Sequence, residues 1–145
     1  MIRTLFKITF ILTIFSCNNV VAKSGFFQEG VILFNEKKFE AAKFKFEQDI
    51  VFNPKSELSY LYLSKIFNKQ ENKNLEEQNL NTVMLLNPKN EEAIYNLAKL
   101  KLSVSDYSKS KELNKKLNAV CSIYCDKSNK LKTTCAGGNI ILVFS

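Results

Sequence analysis

The sequence predicts an all-α fold, a stack of helical hairpins, on three observations. A 34-residue period runs along the chain, a column of small residues recurs at that period, and polar breaks divide each period in two. Asn53-Pro54-Lys55 returns as Asn87-Pro88-Lys89, each time ahead of an apolar run. At the same offset Gly30, Ser64 and Ala98 share a column, as do Phe26, Tyr60 and Ile94, and also Phe27, Leu61 and Tyr95. Small residues at the Gly30 column have a physical reason, because two helices of a hairpin approach closely only where a side chain is nearly absent. Proline at 54 and 88 cannot continue a helix, and its fixed φ suits a linker or a first turn.

The elements follow in order. Phe26, Gly30 and Leu33 lie on one face of a first helix, and Phe39, Ala42, Phe46 and Ile50 follow the three-and-four spacing of a second, with Lys37-Lys38 as the break. The second pair starts at Ser56, an N-cap residue, with Glu57 suited to the positive end of the helix dipole; its break is Gln70-Glu71-Asn72-Lys73. The third pair starts at Asn90, followed by Glu91 and Glu92, and breaks at Ser103-Val104-Ser105-Asp106. From Asp126 to Leu131 the chain can form a short helix covering the last hairpin.

These residues resemble the tetratricopeptide repeat, whose pattern has a small residue at its eighth position, an aromatic near the seventeenth, alanine at the twentieth and proline at the thirty-second. The unit Lys23 to Ser56 matches through Gly30, Phe39, Ala42, Phe46 and Pro54. The unit Glu57 to Asn90 keeps Tyr60, Leu63, Ser64, Phe67, Leu80 and Pro88, but Lys73 and Glu76 replace the aromatic and the alanine, so its second helix is expected to pack less tightly. The unit from Glu91 to Val120 keeps Ile94, Leu97, Ala98, Tyr107 and Ser110; Asn114 stands where a large apolar residue belongs, and a turn one residue shorter would bring Leu113 and Leu117 into register. The resemblance implies a right-handed solenoid of about three repeats (23–56, 57–90 and 91–120) with a partial C-terminal capping helix in a cysteine-bearing segment, 121–135. It also implies which positions line the concave groove: Phe27, Val31 and Phe34, then Leu58, Leu61, Lys65 and Asn68, then Tyr95, Lys99 and Leu102. Such a groove, apolar at one end and lysine-bearing at the other, fits a peptide or helix of another protein that carries acidic residues. The carboxylate clamp of chaperone-binding members is not reproduced, because Phe27 and Val31 stand where its lysine and asparagine would be.

The first 22 residues are of another kind. Arg3 and Lys7 accompany an apolar run through Leu5-Phe6 and Ile8 to Phe15 with no acid, which reads as a secretory signal; the run is shorter than the roughly 20 residues that span a bilayer. Two cleavage sites compete. Val20-Val21-Ala22 suits ordinary signal peptidase, and Ile14-Phe15-Ser16-Cys17 resembles a bacterial lipoprotein box that would lipidate Cys17 and tether the chain to a membrane surface. Either way the expected address is exported, periplasmic or lipid-anchored to the cell envelope.

The 145 residues, 46% hydrophobic, are enough for one core. Removing Arg3 and Lys7 with the signal lowers the formal charge from +7 to +5, and the lysines are scattered among glutamates, so nucleic acid is not an expected partner. Beyond Cys17 the cysteines are Cys121, Cys125 and Cys135; one bridge is expected, and Cys121 to Cys125 requires a helix to stop near Ser122 to Tyr124. With no histidine, neither an imidazole base nor a zinc site within one chain is expected, and no cofactor motif is present. The carboxylate pairs Glu76-Glu77 and Glu91-Glu92 read as solvated surface and helix-start charge. Residues 136–145, two glycines before an apolar β-prone run, read as a loosely ordered tail. The expected function is a non-catalytic interaction scaffold; the alternative is a permanent structural subunit docked through the tail or the odd cysteine.

Overall fold

The computed structural model describes residues 25–136, with side chains to residue 131. The signal segment, Cys17, the Cys135 side chain and the apolar tail lie outside the described residues. Seven α-helices and no strand occur among the described residues: α1 (Phe26–Asn35), α2 (Phe39–Phe52), α3 (Glu57–Lys69), α4 (Lys73–Leu86), α5 (Glu91–Ser103), α6 (Tyr107–Val120) and α7 (Cys125–Ala136). None of them is long and apolar enough to cross a membrane. The main contacts join consecutive helices, and α7 also touches α5. The result is a solenoid in which three hairpins stack and α7 covers the end.

The three hairpin turns are the same motif repeated. Lys37, Glu71 and Ser105, 34 residues apart, hold φ of 62°, 55° and 62°. In each turn the following amide reaches back five residues, Lys38 to the Leu33 carbonyl, Asn72 to Phe67 and Asp106 to Lys101, so the last carbonyls of the preceding helix are satisfied. A left-handed residue at this point is usually glycine. Here the turn closes without one. All three turns have equal length, so the shortened third turn does not occur, and Asn114 stays in its column, buried beside Leu113 and Leu117.

Helix starts use side-chain caps on α4, α5 and α6, where Asn72, Asn90 and Asp106 accept from Leu75, Ala93 and Lys109 amides at 3.2, 2.9 and 3.0 Å. Ser56 differs from expectation. Its hydroxyl makes no cap bond and instead meets Ser59 Oγ at 3.0 Å; Ser59 in turn donates to the buried Asp49 carboxylate, which competes for the local hydroxyls. Pro54 and Pro88 sit in the linkers between hairpins.

Gly30, Ser64 and Ala98 are all buried at the close approaches. A Cβ on Gly30 would lie 2.7 Å from Phe46 Cε1, and that ring is fully buried and stacked at 4.9 Å on Tyr62. Two apolar clusters divide at α3. One holds Ala42, Phe46, Leu63, Ile66 and Phe67; the larger runs from Leu61 through Leu80, Ile94, Ala98 and Leu117 to Leu131. Leu80 and Val83 of α4 are fully buried, so this helix is not the loose one its missing aromatic and alanine suggest. The reason is Glu76, whose charge is accommodated by a neighbour described below.

Candidate partner-binding groove

An open cleft of ≈ 800 Å³ lies where α3, the start of α4 and α5 meet. Its walls carry Lys65, Asn68, Lys69, Lys73 and Lys99 with Glu71, Glu76, Glu92 and Asn96. Glu76 occupies the column that elsewhere holds Ala42 and Ser110, and it is only 5% exposed. A carboxylate fits there because Asn68 Nδ2, one hairpin arm away, donates to both of its oxygens at 3.0 and 3.1 Å. Burial pushes the Glu76 carboxyl above its ordinary range, and the Asn68 bond together with the Lys99 and Lys73 charges opposes that shift. Across the cleft Lys65 pairs with Glu92 at 2.8 Å. On the flank of the same helices Lys101 pairs with Glu77 at 2.6 Å.

The structure brings Lys65, Asn68 and Lys99 together in this cleft. Phe27, Val31 and Phe34 gather instead around Tyr62: Phe27 and Phe34 place their rings 5.8 and 5.1 Å from it, edge-on, and all three are half-buried. Tyr95 and Leu102 are half-buried against the larger cluster, and Leu58 is 46% exposed away from the cleft. Leu61 is corrected outright. At 3% exposed it belongs to the core between α3 and the third hairpin, and it offers no surface to a partner.

Sequence reading missed Glu76, Glu92, Asn96 and Tyr62 as cleft or cluster residues. Glu76 carried a legible signal, since a charge in a small-residue column must find a donor when the hairpin closes. The reading of Glu91 as simple helix-start charge is also corrected. Its carboxylate accepts from the Ser122 amide and hydroxyl at 2.7 Å each, and from the Ile123 and Tyr124 amides at 2.9 and 2.8 Å. Those donors hold its pKa down to about 2. Glu57 does the same job one repeat earlier, accepting from Asn87 and Asn90 at 3.0 and 3.1 Å.

The loop held by Glu91 is also closed covalently. Cys121 and Cys125 form a disulfide with Cα atoms 5.3 Å apart, because α6 stops at Val120 and α7 starts at Cys125. Asn114, in the column expected to be large and apolar, donates to the Ser128 carbonyl at 3.1 Å and accepts from Ser128 Oγ at 2.6 Å. The polar residue therefore docks the cap. Among the described residues no group of three or more acidic or cysteine side chains could hold a metal ion.

Solved structures share this fold. The TPR2B domain of yeast Sti1, in its complex with pHsp70, superposes with a TM-score of 0.71 at 14% identity over 77% of this chain and 94% of that one. The first TPR of Spaghetti (RPAP3), bound to an HSP90 peptide, gives 0.66 at 11% over 77% and 90%. The Arabidopsis OM64 TPR domain gives 0.68 at 17% over 80% and 98%. The comparison with protein-family models gives no match, and neither does that with curated proteins. The fold is that of tetratricopeptide-repeat domains.

Proposed function

We propose that this chain is a non-catalytic interaction scaffold that takes a segment of another protein, bearing acidic residues beside apolar ones, in the cleft on α3 and α5. The observation that carries the reading is the cleft itself: four lysines and three glutamates on a solenoid scaffold, with Glu92 already paired to Lys65 and the Glu76 carboxylate buried and occupied by Asn68. What remains exposed is mostly ammonium charge, which steers and orients an anionic segment, while apolar neighbours supply affinity. Two of the structural neighbours hold chaperone segments, which supports a protein partner, but Phe27 and Val31 here argue for a segment other than a chaperone tail. The reading includes export by residues 1–22, with lipidated Cys17 or a free N-terminus after Ala22.

Replacing Lys65 and Lys99 by Glu weakens association with an acidic peptide and flattens its salt dependence, whereas the exposed α6 residues Lys111 and Lys115 tolerate the same change. Fluorescence anisotropy across a salt series reads both. Loss of binding from the α6 pair alone, with the cleft pair silent, sinks the groove reading. The address is read by mass spectrometry of the cellular protein, where an intact Met1 in a soluble cytosolic fraction excludes export.

A further inference from the structure

A lysine lies over an aromatic ring at successive stations of this face. Lys65 Nζ is 4.7 Å from the Tyr62 ring centroid on α3, and Lys99 Nζ is 5.8 Å from Tyr95 on α5. Beyond them the cap repeats the arrangement, with Lys127 Nζ 3.9 Å from Tyr124 and 5.4 Å from Tyr95. The Tyr95 and Tyr124 rings are themselves in contact, 5.6 Å apart. Lys99 and Lys127 thus share one ring although they belong to different helices, and both are exposed with no carboxylate bound among the described residues. A ring quadrupole attracts an ammonium group and holds it without cancelling its charge.

We propose that the cap helix α7 is part of the binding surface, and that Lys127 and Lys99, parked on Tyr124 and Tyr95, receive two acidic side chains on one side of an extended partner segment. Acidic residues at alternate positions of such a segment stand roughly 7 Å apart, a spacing that suits two flexible lysines whose ammonium groups both lie within reach of a single ring. The residues between them face the other way and are free to be apolar. The cap is rigid enough to serve. Leu131 is sunk in the larger cluster, Asn114 and Ser128 exchange hydrogen bonds, Glu91 grips the preceding loop and the Cys121–Cys125 bridge closes it. Tyr124 also packs on the larger cluster and so helps to shield the last hairpin, but shielding does not require that the outer-face ammonium of Lys127 meet the same ring as Lys99 of α5.

This inference rests on the groove reading and is tested so that the two can fail separately. The probe is a fluorescein-labelled peptide of about twelve residues alternating glutamate and valine, roughly 40 Å when extended, with a glutamine-for-glutamate analogue as control. The expected result is that the full mature chain binds the acidic peptide and not the analogue. Lys127→Glu then weakens binding by at least about fivefold, Lys127→Arg retains it, and the melting temperature of Lys127→Glu falls by no more than about a few degrees, because an exposed ammonium–ring contact contributes little to stability. If Lys65→Glu and Lys99→Glu weaken binding while Lys127→Glu does not, the cap has no part in recognition and the groove reading stands alone. If no lysine variant alters binding, or wild type fails to bind, both readings fall. Attachment to anionic vesicles that depends on Lys127, without peptide binding, would replace the proposal by a lipid-facing role.

Discussion

Glu91 joins two parts of the molecule that are 31 to 33 residues apart in sequence, with one carboxylate receiving three amides and a hydroxyl. Its pKa, about 2 against an ordinary 4.5, sets the sign of its contribution. A group whose folded pKa is depressed stabilises the fold at pH above its unfolded value, and that stabilisation is lost as pH falls through the folded one. Glu91→Gln is therefore expected to lower the melting temperature at neutral pH, with the gap to wild type closing as pH falls from about 4.5 toward 2. A gap that persists unchanged at the acid end would assign the loss to geometry instead of charge. Glu76 runs the other way. Its raised pKa favours the folded state at low pH, and this advantage fades as pH rises through the elevated value.

Among the elements, the hairpin turns show how a period can persist without its usual residue. Lys37, Glu71 and Ser105 accept a left-handed backbone because the reach-back hydrogen bonds over-determine it. That conformation costs a residue with a Cβ roughly 1–2 kcal/mol. Glycine avoids this and loses part of the gain to its freer unfolded chain. Glu71→Gly is expected to stabilise by about 0.5–1 kcal/mol, seen as a higher urea midpoint at unchanged slope. Glu71→Ala, which keeps the Cβ, gains nothing.

Over the whole molecule, contacts run mainly between consecutive helices, so a perturbation at one end has no direct route to the other. Reducing the Cys121–Cys125 bridge with a dithiol, which is itself oxidised to its cyclic disulfide, is expected to raise amide exchange in α7 and the last turn of α6. The α1 and α2 amides should exchange as before, because they pack in the separate cluster around Phe46. Uniform loss of protection would mean that the two clusters unfold as one unit. The same locality confines the Lys127 experiment to the end of the groove it addresses.

The 34-residue period, the buried small-residue column, the proline linkers and the stop before Cys125 were legible in the sequence, because each depends on backbone geometry and on residue types that recur at a fixed offset or break a local helical pattern. Tertiary structure alone decided the polar pairings: Glu76 with Asn68, Asn114 with Ser128, Glu91 with the loop at Ser122 to Tyr124. It also decided that Leu61 faces inward while Lys65, one turn later on α3, faces the cleft. The physical reason is that periodicity reports which face of a helix is apolar. Which buried polar atom meets which donor, and which side of a half-buried helix a neighbour covers, depends on groups 8 to 33 residues away that come together only when the hairpins stack.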